Sequence, residues 1–316
     1  MSHPTPPGSA PQETTFRAFS REQGAAYAEY RLDYHPRLYN AVLDFHSSTG
    51  GQLHTLLDVG CGPGTAVRVL APHFAHAVGI DPSEGMIAMA RALGGSLTSG
   101  GEPIHFEVST VEDIPTSLAE PGSIDLLVAA TAAHWFDMAR FWPRAAALLK
   151  PGGTVALWTS GTALVDKEGM PNGAAIQAAI DRVEEALDAY MMPGNRLVSG
   201  LYADLTLPWG LEEPMGEFDR ESFVRKEWNT REGAEPVDEF YASQKPATVD
   251  ALVKVFGTTS PYVRWSKANP GDVGTEMDPL VVMRGEVEGL LRKAGLEPES
   301  VIKGGVGGVL LMVKKV

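Results

Sequence analysis

Between Leu56 and Thr65 the chain reads Leu-Leu-Asp-Val-Gly-Cys-Gly-Pro-Gly-Thr. An apolar run that carries an acid, Asp58, into Gly60, Gly62 and Gly64 before a helix is a nucleotide-binding turn. Glycine tolerates positive φ and lets the backbone approach a ligand closely. Asp81 ends the next apolar run 17 residues beyond Gly64. A carboxylate there can accept hydrogen bonds from the two vicinal hydroxyls of a ribose. Asp81-Pro82-Ser83-Glu84-Gly85-Met86 then opens a helix with Ser83 as its N-cap. Met86 falls one turn in, where a soft thioether can pack on a flat purine. Cys61, the one cysteine in the chain, reads as a small buried residue of the loop rather than as a nucleophile.

A second chemistry-bearing stretch is Thr131-Ala132-Ala133-His134-Trp135-Phe136-Asp137. It follows an apolar run at 124–130, and ligands of open α/β sheets bind at the carboxyl ends of such strands. His134 is the candidate catalytic residue, either as a base toward a hydroxyl or as a group that positions substrate. A carboxylate acceptor is already ionised and needs only positioning. Tyr34, Trp135, Tyr262 and Trp265 are the candidate substrate contacts, able to close over an acceptor and exclude water; core packing is the alternative for each. Arg31, Arg37 and Arg264 are the cations available to a polycarboxylate. All eight histidines precede residue 135 and none forms a metal-like pair with a third ligand, so no metal is expected.

The elements that must carry these residues alternate. Strand-like runs at 54–59, 76–80, 104–108, 124–130 and 154–158 are separated by helical stretches at 65–72, 83–94 and 137–149, which implies a parallel sheet with right-handed crossovers. Residues 1–13 hold little to bury and read as a tail. Residues 14–160 form the cofactor-binding core, with an N-terminal helical cap in which Pro36 marks a helix start or break. Ala174 to Met192 is a long amphipathic helix, and 161–279 reads as a helical and irregular substrate cap without a clear strand pattern. Residues 280–316 return to the core as a helix capped by Gly295 and two apolar segments, 299–303 and 306–314, joined as a hairpin at Gly304 and Gly305.

The chain has 316 residues, a formal charge of −14, 44% hydrophobic and 21% charged residues. The acidity is shared: 15 acids and 9 bases up to Lys150, then 25 acids and 17 bases. This field repels a phosphate backbone, so nucleic acid is not an expected partner. A lone cysteine fits a reducing compartment. No apolar run approaches the ~20 residues of a membrane helix and no signal peptide is apparent. The expectation is a cytoplasmic protein, monomeric or weakly dimeric, acting on a small molecule.

Three motifs stand in register: Asp-x-Gly-x-Gly-x-Gly from Asp58, Asp-x-Ser-x-x-Met from Asp81, and Leu148-Leu149-Lys150-Pro151-Gly152-Gly153-Thr154. With them the chain resembles the class I S-adenosylmethionine-dependent methyltransferases; the Gly-x-Gly-x-x-Gly spacing of Rossmann dehydrogenases is absent. His134-Trp135-Phe136-Asp137, the upstream Tyr27 to Pro36 segment and Thr258 to Trp265 resemble the trans-aconitate methyltransferase-like branch. That branch typically has Arg-Pro-x-Tyr-Pro where this chain has Arg31-Leu32-Asp33-Tyr34-His35-Pro36, so the Arg-Pro pair is lost. The resemblance implies an α/β Rossmann-like fold, a mostly parallel seven-stranded sheet ordered 3-2-1-4-5-7-6, and S-adenosylmethionine as methyl donor. It implies a cofactor site of Tyr27, Arg31, Asp58, Gly60, Cys61, Gly62, Asp81, Pro82, Met86, Thr110, Val111 and Ala129. Thr110 stands where many relatives hold an acid for the adenine amino group. The implied reaction is O-methylation of a carboxylate or hydroxyl by in-line displacement, leaving S-adenosylhomocysteine. A non-methylating reaction on the same fold, such as a cyclisation, and a non-enzymatic binding module stay open.

Overall fold

The computed structural model describes residues 33–228 and 247–316, together with Thr15, Gly24 and residues 28–30. A first helix, α1 (Pro36–Ser48), starts where proline at its first position meets His35, whose imidazole accepts the Arg37 amide. Strand β1 (Thr55–Val59) follows, then α2 (Thr65–Leu70), β2 (His76–Asp81), α3 (Glu84–Ala92) and β3 (His105–Val108). Beyond a long connection come β4 (Ile124–Ala130), α4 (Met138–Leu148) and β5 (Leu149–Val165). Strands β1 to β5 are parallel to one another, so every carboxyl end of this half opens on one edge. The expected Ser83 cap is present, its hydroxyl accepting the Met86 amide. Gly295 sits past the last long helix with φ of 73°.

After β5 the chain builds helices α5 (Gly173–Leu187) and α6 (Pro193–Ser199), strand β6 (Phe218–Trp228), helices α7 (Val249–Gly257), α8 (Ser260–Ala268) and α9 (Pro279–Lys293), and strand β7 (Gly304–Lys315). The sheet order is β3-β2-β1-β4-β5-β7-β6, as expected, with β7 antiparallel to both neighbours. Its last two strands are not the local hairpin read from sequence. Gly304 and Gly305 lie inside β7, and its partner β6 comes from the stretch read as a cap without strands. Two physical features hid β6. It is a sheet edge carrying exposed Asp219, Arg220 and Glu221, and a register shift between Asp219 and Val224 breaks the period-two pattern. The β7 glycines serve close approach instead of a turn: a Cβ on Gly308 would stand 2.6 Å from the Trp228 ring, and one on Gly304 would stand 2.1 Å from the Leu164 carbonyl.

Apolar residues pack both sheet faces, Leu57, Val59, Ile80, Leu127 and Phe141 in one cluster and Leu38, Leu56, Val67, Leu126 and Trp158 in the other. A third cluster joins α5, α8 and α9 through Ile176, Ile180, Trp265, Met283 and Val287. Among the described residues no helix is long and apolar enough to cross a membrane.

Candidate cofactor and acceptor site

The glycine loop is held from both sides. Gly60, Gly62 and Gly64 have φ of 67°, 55° and 86°. Asp58 is wholly buried; its Oδ2 accepts the Val67 amide at 3.1 Å, while Oδ1 has no hydrogen-bond partner. Burial, with the nearby Asp81 charge adding to it, pushes the Asp58 carboxyl up to about 7. Asp81, at the end of β2, accepts the Gly62 amide on Oδ2 at 3.0 Å and the Ser83 amide on Oδ1 at 2.8 Å. The second acid thus fastens the loop after β1 to the start of α3. Arg68 adds a clamp, donating to the Pro63 carbonyl at 2.5 Å, to Ala90 at 2.6 Å and to Gly94 at 2.7 Å. Cys61 is buried, and burial pushes its thiol well up, so it is packing and not a nucleophile.

The glycines are not equivalent. A Cβ on Gly60 would meet the Ala132 Cβ at 2.6 Å, because this loop packs on the segment after β4. A Cβ on Gly62 would meet nothing within 4 Å. The loop therefore faces an opening at Gly62, whose amide Asp81 fixes. Met86 is buried one turn into α3, and Val111 is buried against the sheet. Thr110 donates to Asp113 at 3.0 Å. Gly24 lies against the start of α3, where an added Cβ would be 3.1 Å from the Gly85 carbonyl. Tyr27 and Arg31 lie outside the described residues.

Beyond Ala129 and Ala130, at the carboxyl end of β4, Thr131 has a φ of 53°, unusual for a β-branched residue. Its Oγ1 pairs with the Tyr34 hydroxyl at 2.9 Å. His134 is buried, its Nδ1 2.9 Å from the Tyr202 hydroxyl, and its ring lies tilted against Trp135 with centroids 4.7 Å apart. Helix α6 covers this turn: a Cβ on Gly194 would stand 2.7 Å from the Trp135 ring. Residues from four separate stretches, Tyr34, Thr131 with His134, Thr159 and Tyr202, thus make one cluster of polar groups at the ends of β4 and β5.

Residues 57–157 match the family model described as a methyltransferase domain. This chain carries a methyltransferase domain. Trans-aconitate 2-methyltransferase of Variovorax paradoxus is 31% identical over 201 residues, covering 60% of this chain and 62% of that protein. The methyltransferase ptaI of Pestalotiopsis fici is 28% identical over 202 residues, 60% of this chain and 58% of its own. The Saccharomyces cerevisiae protein CRG1 is 32% identical over 136 residues, 43% of this chain and 45% of its own. The chain therefore spans less than two thirds of the length of these curated relatives. A solved structure from Anaeromyxobacter dehalogenans, designated a type II methyltransferase, superposes with a TM-score of 0.56 at 22% identity, over 90% of this chain and 97% of that one. It shares the class I methyltransferase fold.

This domain gathers Asp58, Gly60, Cys61, Gly62, Asp81, Pro82, Met86, Val111 and Ala129 at the carboxyl edge of β1, β2, β3 and β4, and Tyr34, His134 and Trp135 beyond it. Tyr262 and Trp265 are elsewhere. Trp265 is buried in the α5–α8–α9 cluster, Tyr262 stacks on it at 5.5 Å, and the Tyr262 hydroxyl donates to Asp278 at 2.8 Å. Arg264 is spent on the cap itself: it donates to the Tyr190 carbonyl, Thr15 Oγ1, Asn195 Oδ1 and Ser260 Oγ. Sequence reading missed Arg68, Thr131, Thr159 and Tyr202. Arg68 had a weak local signal as the cation one turn into the helix after the loop; Tyr202 and Thr159 had none. Among the described residues no cluster of three His, Cys, Asp or Glu forms a metal site.

Proposed function

We propose that this chain is an S-adenosylmethionine-dependent methyltransferase that methylates an oxygen of a small molecule, a carboxylate or a hydroxyl. Gly62 carries the reading. Its backbone borders open space, its amide is fixed by one acid, and a second acid with an unpartnered buried oxygen lies beneath the same loop. An orphaned buried Asp58 Oδ1 and a glycine edge that a Cβ would fill fit an adenosyl sulfonium better than a plain structural turn.

When bound, the cofactor supplies an electrophilic methyl group on sulfur, with a neutral thioether as leaving group. Asp81 is suited to the ribose hydroxyls, Met86 and Val111 to the apolar faces of the base, with Thr110 beside them, and the Gly60 to Gly62 backbone to the amino-acid end. Tyr27 and Arg31 complete the proposed cofactor set. Tyr34, His134 and Trp135 face the reacting end, where they orient the acceptor and keep water away; Tyr262 and Trp265 pack the interior of the cap instead. No metal or covalent intermediate is needed for an in-line displacement. The charge of −14 favours a small acceptor over nucleic acid, and the lone cysteine suits the cytoplasm. The working unit is a monomer or weak homodimer.

Isothermal titration with S-adenosylmethionine and S-adenosylhomocysteine tests the reading. Saturable binding by the wild type and at least about tenfold weaker binding by Asp81→Ala, about 1.4 kcal/mol, is expected. No binding by the wild type at high protein concentration sinks it. Methyl-labelled cofactor with a library of carboxylates and phenols then separates base-labile esters from ethers, and label in neither class overturns the O-methylation part.

A further inference from the structure

The polar cluster at the ends of β4 and β5 contains a buried tyrosine that no sequence motif marks, and its surroundings decide a proton. Tyr202 is 1% exposed, and its hydroxyl lies 2.9 Å from His134 Nδ1. The Thr159 hydroxyl and the backbone of Ala133 and His134 favour the ionised phenol, but burial outweighs them and keeps it neutral. A phenol O–H is a stronger donor than a neutral imidazole N–H, and an imidazole nitrogen is a stronger acceptor than a phenol oxygen, so across the 2.9 Å contact the phenol proton goes to His134 Nδ1. An imidazole nitrogen is a better acceptor than the Thr159 hydroxyl, which itself donates toward the Ser160 carbonyl at 3.4 Å.

The backbone around Tyr202 is built to keep that geometry. Leu201 and Tyr202 are successive non-glycine residues in the left-handed region, with φ of 48° and 58°. Such strain persists where the surroundings over-determine it, and it clusters at functional sites. Here the Tyr202 amide donates to the Leu197 carbonyl at 2.8 Å, and the Arg225 guanidinium on β6 donates to the carbonyls of Leu201 at 2.7 Å and Tyr202 at 3.4 Å. Glu227 backs the same guanidinium, its Oε1 accepting Arg225 Nε at 2.6 Å. An edge strand of the sheet thus pins the turn that aims the phenol.

We propose that Tyr202 is a positioning residue that holds His134 in its Nε2–H tautomer, so that the imidazole meets the methyl acceptor as a hydrogen-bond donor and not as a base. Burial keeps the proton on the phenol by pushing its titration upward. The consequence for substrate rests on the methyltransferase reading above; the tautomer does not. With Nδ1 occupied and Nε2 protonated, neutral His134 has no lone pair with which to take a proton. The acceptor must then arrive ionised: one oxygen of a carboxylate forms the bond to the methyl carbon as the carbon–sulfur electron pair leaves with sulfur, and no proton leaves the acceptor. A carboxylate offers its second oxygen to Nε2–H, which an alcohol cannot do without losing nucleophilicity at its only oxygen.

Histidine-selective 15N labelling of the whole chain, read by NMR across about pH 6 to about pH 9, tests this without any cofactor. The His134 signals are assigned by their loss in His134→Gln. In the wild type, Nδ1 is expected as an unprotonated nitrogen and Nε2 as a protonated one; a protonated Nδ1 overturns the proposal. Tyr202→Phe, and Arg225→Lys as a milder variant should the first fail to fold, are expected to shift His134 toward a mixture of tautomers. An unchanged tautomer in either folded variant overturns the role given to Tyr202. Because the signals are read in the free protein, failure to bind S-adenosylmethionine removes the functional reading and leaves this result standing.

Discussion

At Asp58 burial and charge are opposed. Its carboxyl has lost water on every side, keeps one amide bond to Val67, and titrates at about 7 against an ordinary 3.8. The folded state therefore holds a proton that the unfolded chain has released between these two values. Stability from this group is present below about 4, falls as pH rises through the window, and levels off above about 7. Asn keeps an acceptor for the Val67 amide and cannot ionise. Urea denaturation at about pH 4 and about pH 7.5 is expected to show Asp58→Asn gaining on the wild type as pH rises, and parallel behaviour of the two proteins would count against the buried acid. The same substitution is expected to weaken cofactor binding, read by calorimetry. Cys61, beside it, is expected to resist thiol reagents in the folded protein, since burial holds it as a thiol.

At the scale of the element, the loop between β1 and α2 separates two demands that glycine meets together, conformation and space. Gly60→Ala adds a methyl group 2.6 Å from Ala132 at a positive φ, so both stability and binding are expected to fall, by more than about 2 kcal/mol in stability. Gly62→Ala has the same kind of φ and no neighbour to strike, so its cost is that of the backbone alone, about 1–2 kcal/mol. Its methyl group enters the open side of the loop, and a folded protein that binds S-adenosylmethionine at least about tenfold more weakly is expected. Equal losses of stability in the two variants, measured by thermal melts, would contradict the geometry. Arg68 belongs to the same element: it ties the Pro63 carbonyl to the end of α3, and Arg68→Lys cannot reach three carbonyls with one ammonium group. Looser cofactor binding with little change in melting is expected of it.

At the scale of the whole molecule, one partly buried arginine ties the helices of the cap to one another and to the N-terminal part of the chain. Arg264 on α8 reaches the turn before α6 through Tyr190, α6 itself through Asn195, and the N-terminal part of the chain through Thr15. Arg264→Ala leaves several partly buried acceptors unpaired and is expected to lower stability by about 2–4 kcal/mol in denaturant titration. A change under about 0.5 kcal/mol would show that the ties are incidental. Arginine near a suspected lid suggested carboxylate recognition; the folded chain uses this one to build the lid, because its planar fork matches several carbonyl and amide oxygens at once.

Much of the nucleoside end was legible because it is local. Asp58, the glycines, Asp81, Ser83 and Met86 fall within 29 residues, and strand, turn and helix dictate their relation over that distance. The five parallel strands were legible for the same reason, each a short apolar run and all but β3 followed by a helix. The last two strands were not: β6 is a charged edge with a broken period, and Gly304, which resembles part of a turn, lies in β7 where the Leu164 carbonyl presses on the backbone. The acceptor end was legible only as far as His134. Its partner Tyr202 lies 68 residues on, and Tyr34 and Thr131 are 97 apart. No period or spacing links such pairs, because their meeting depends on how the cap folds back over the sheet. Sequence alone determined where the loop and its acids stand, since short-range backbone geometry sets them. Tertiary packing decided which hydroxyls surround His134, since only long-range contacts bring a strained turn and an edge-strand arginine to the end of β4.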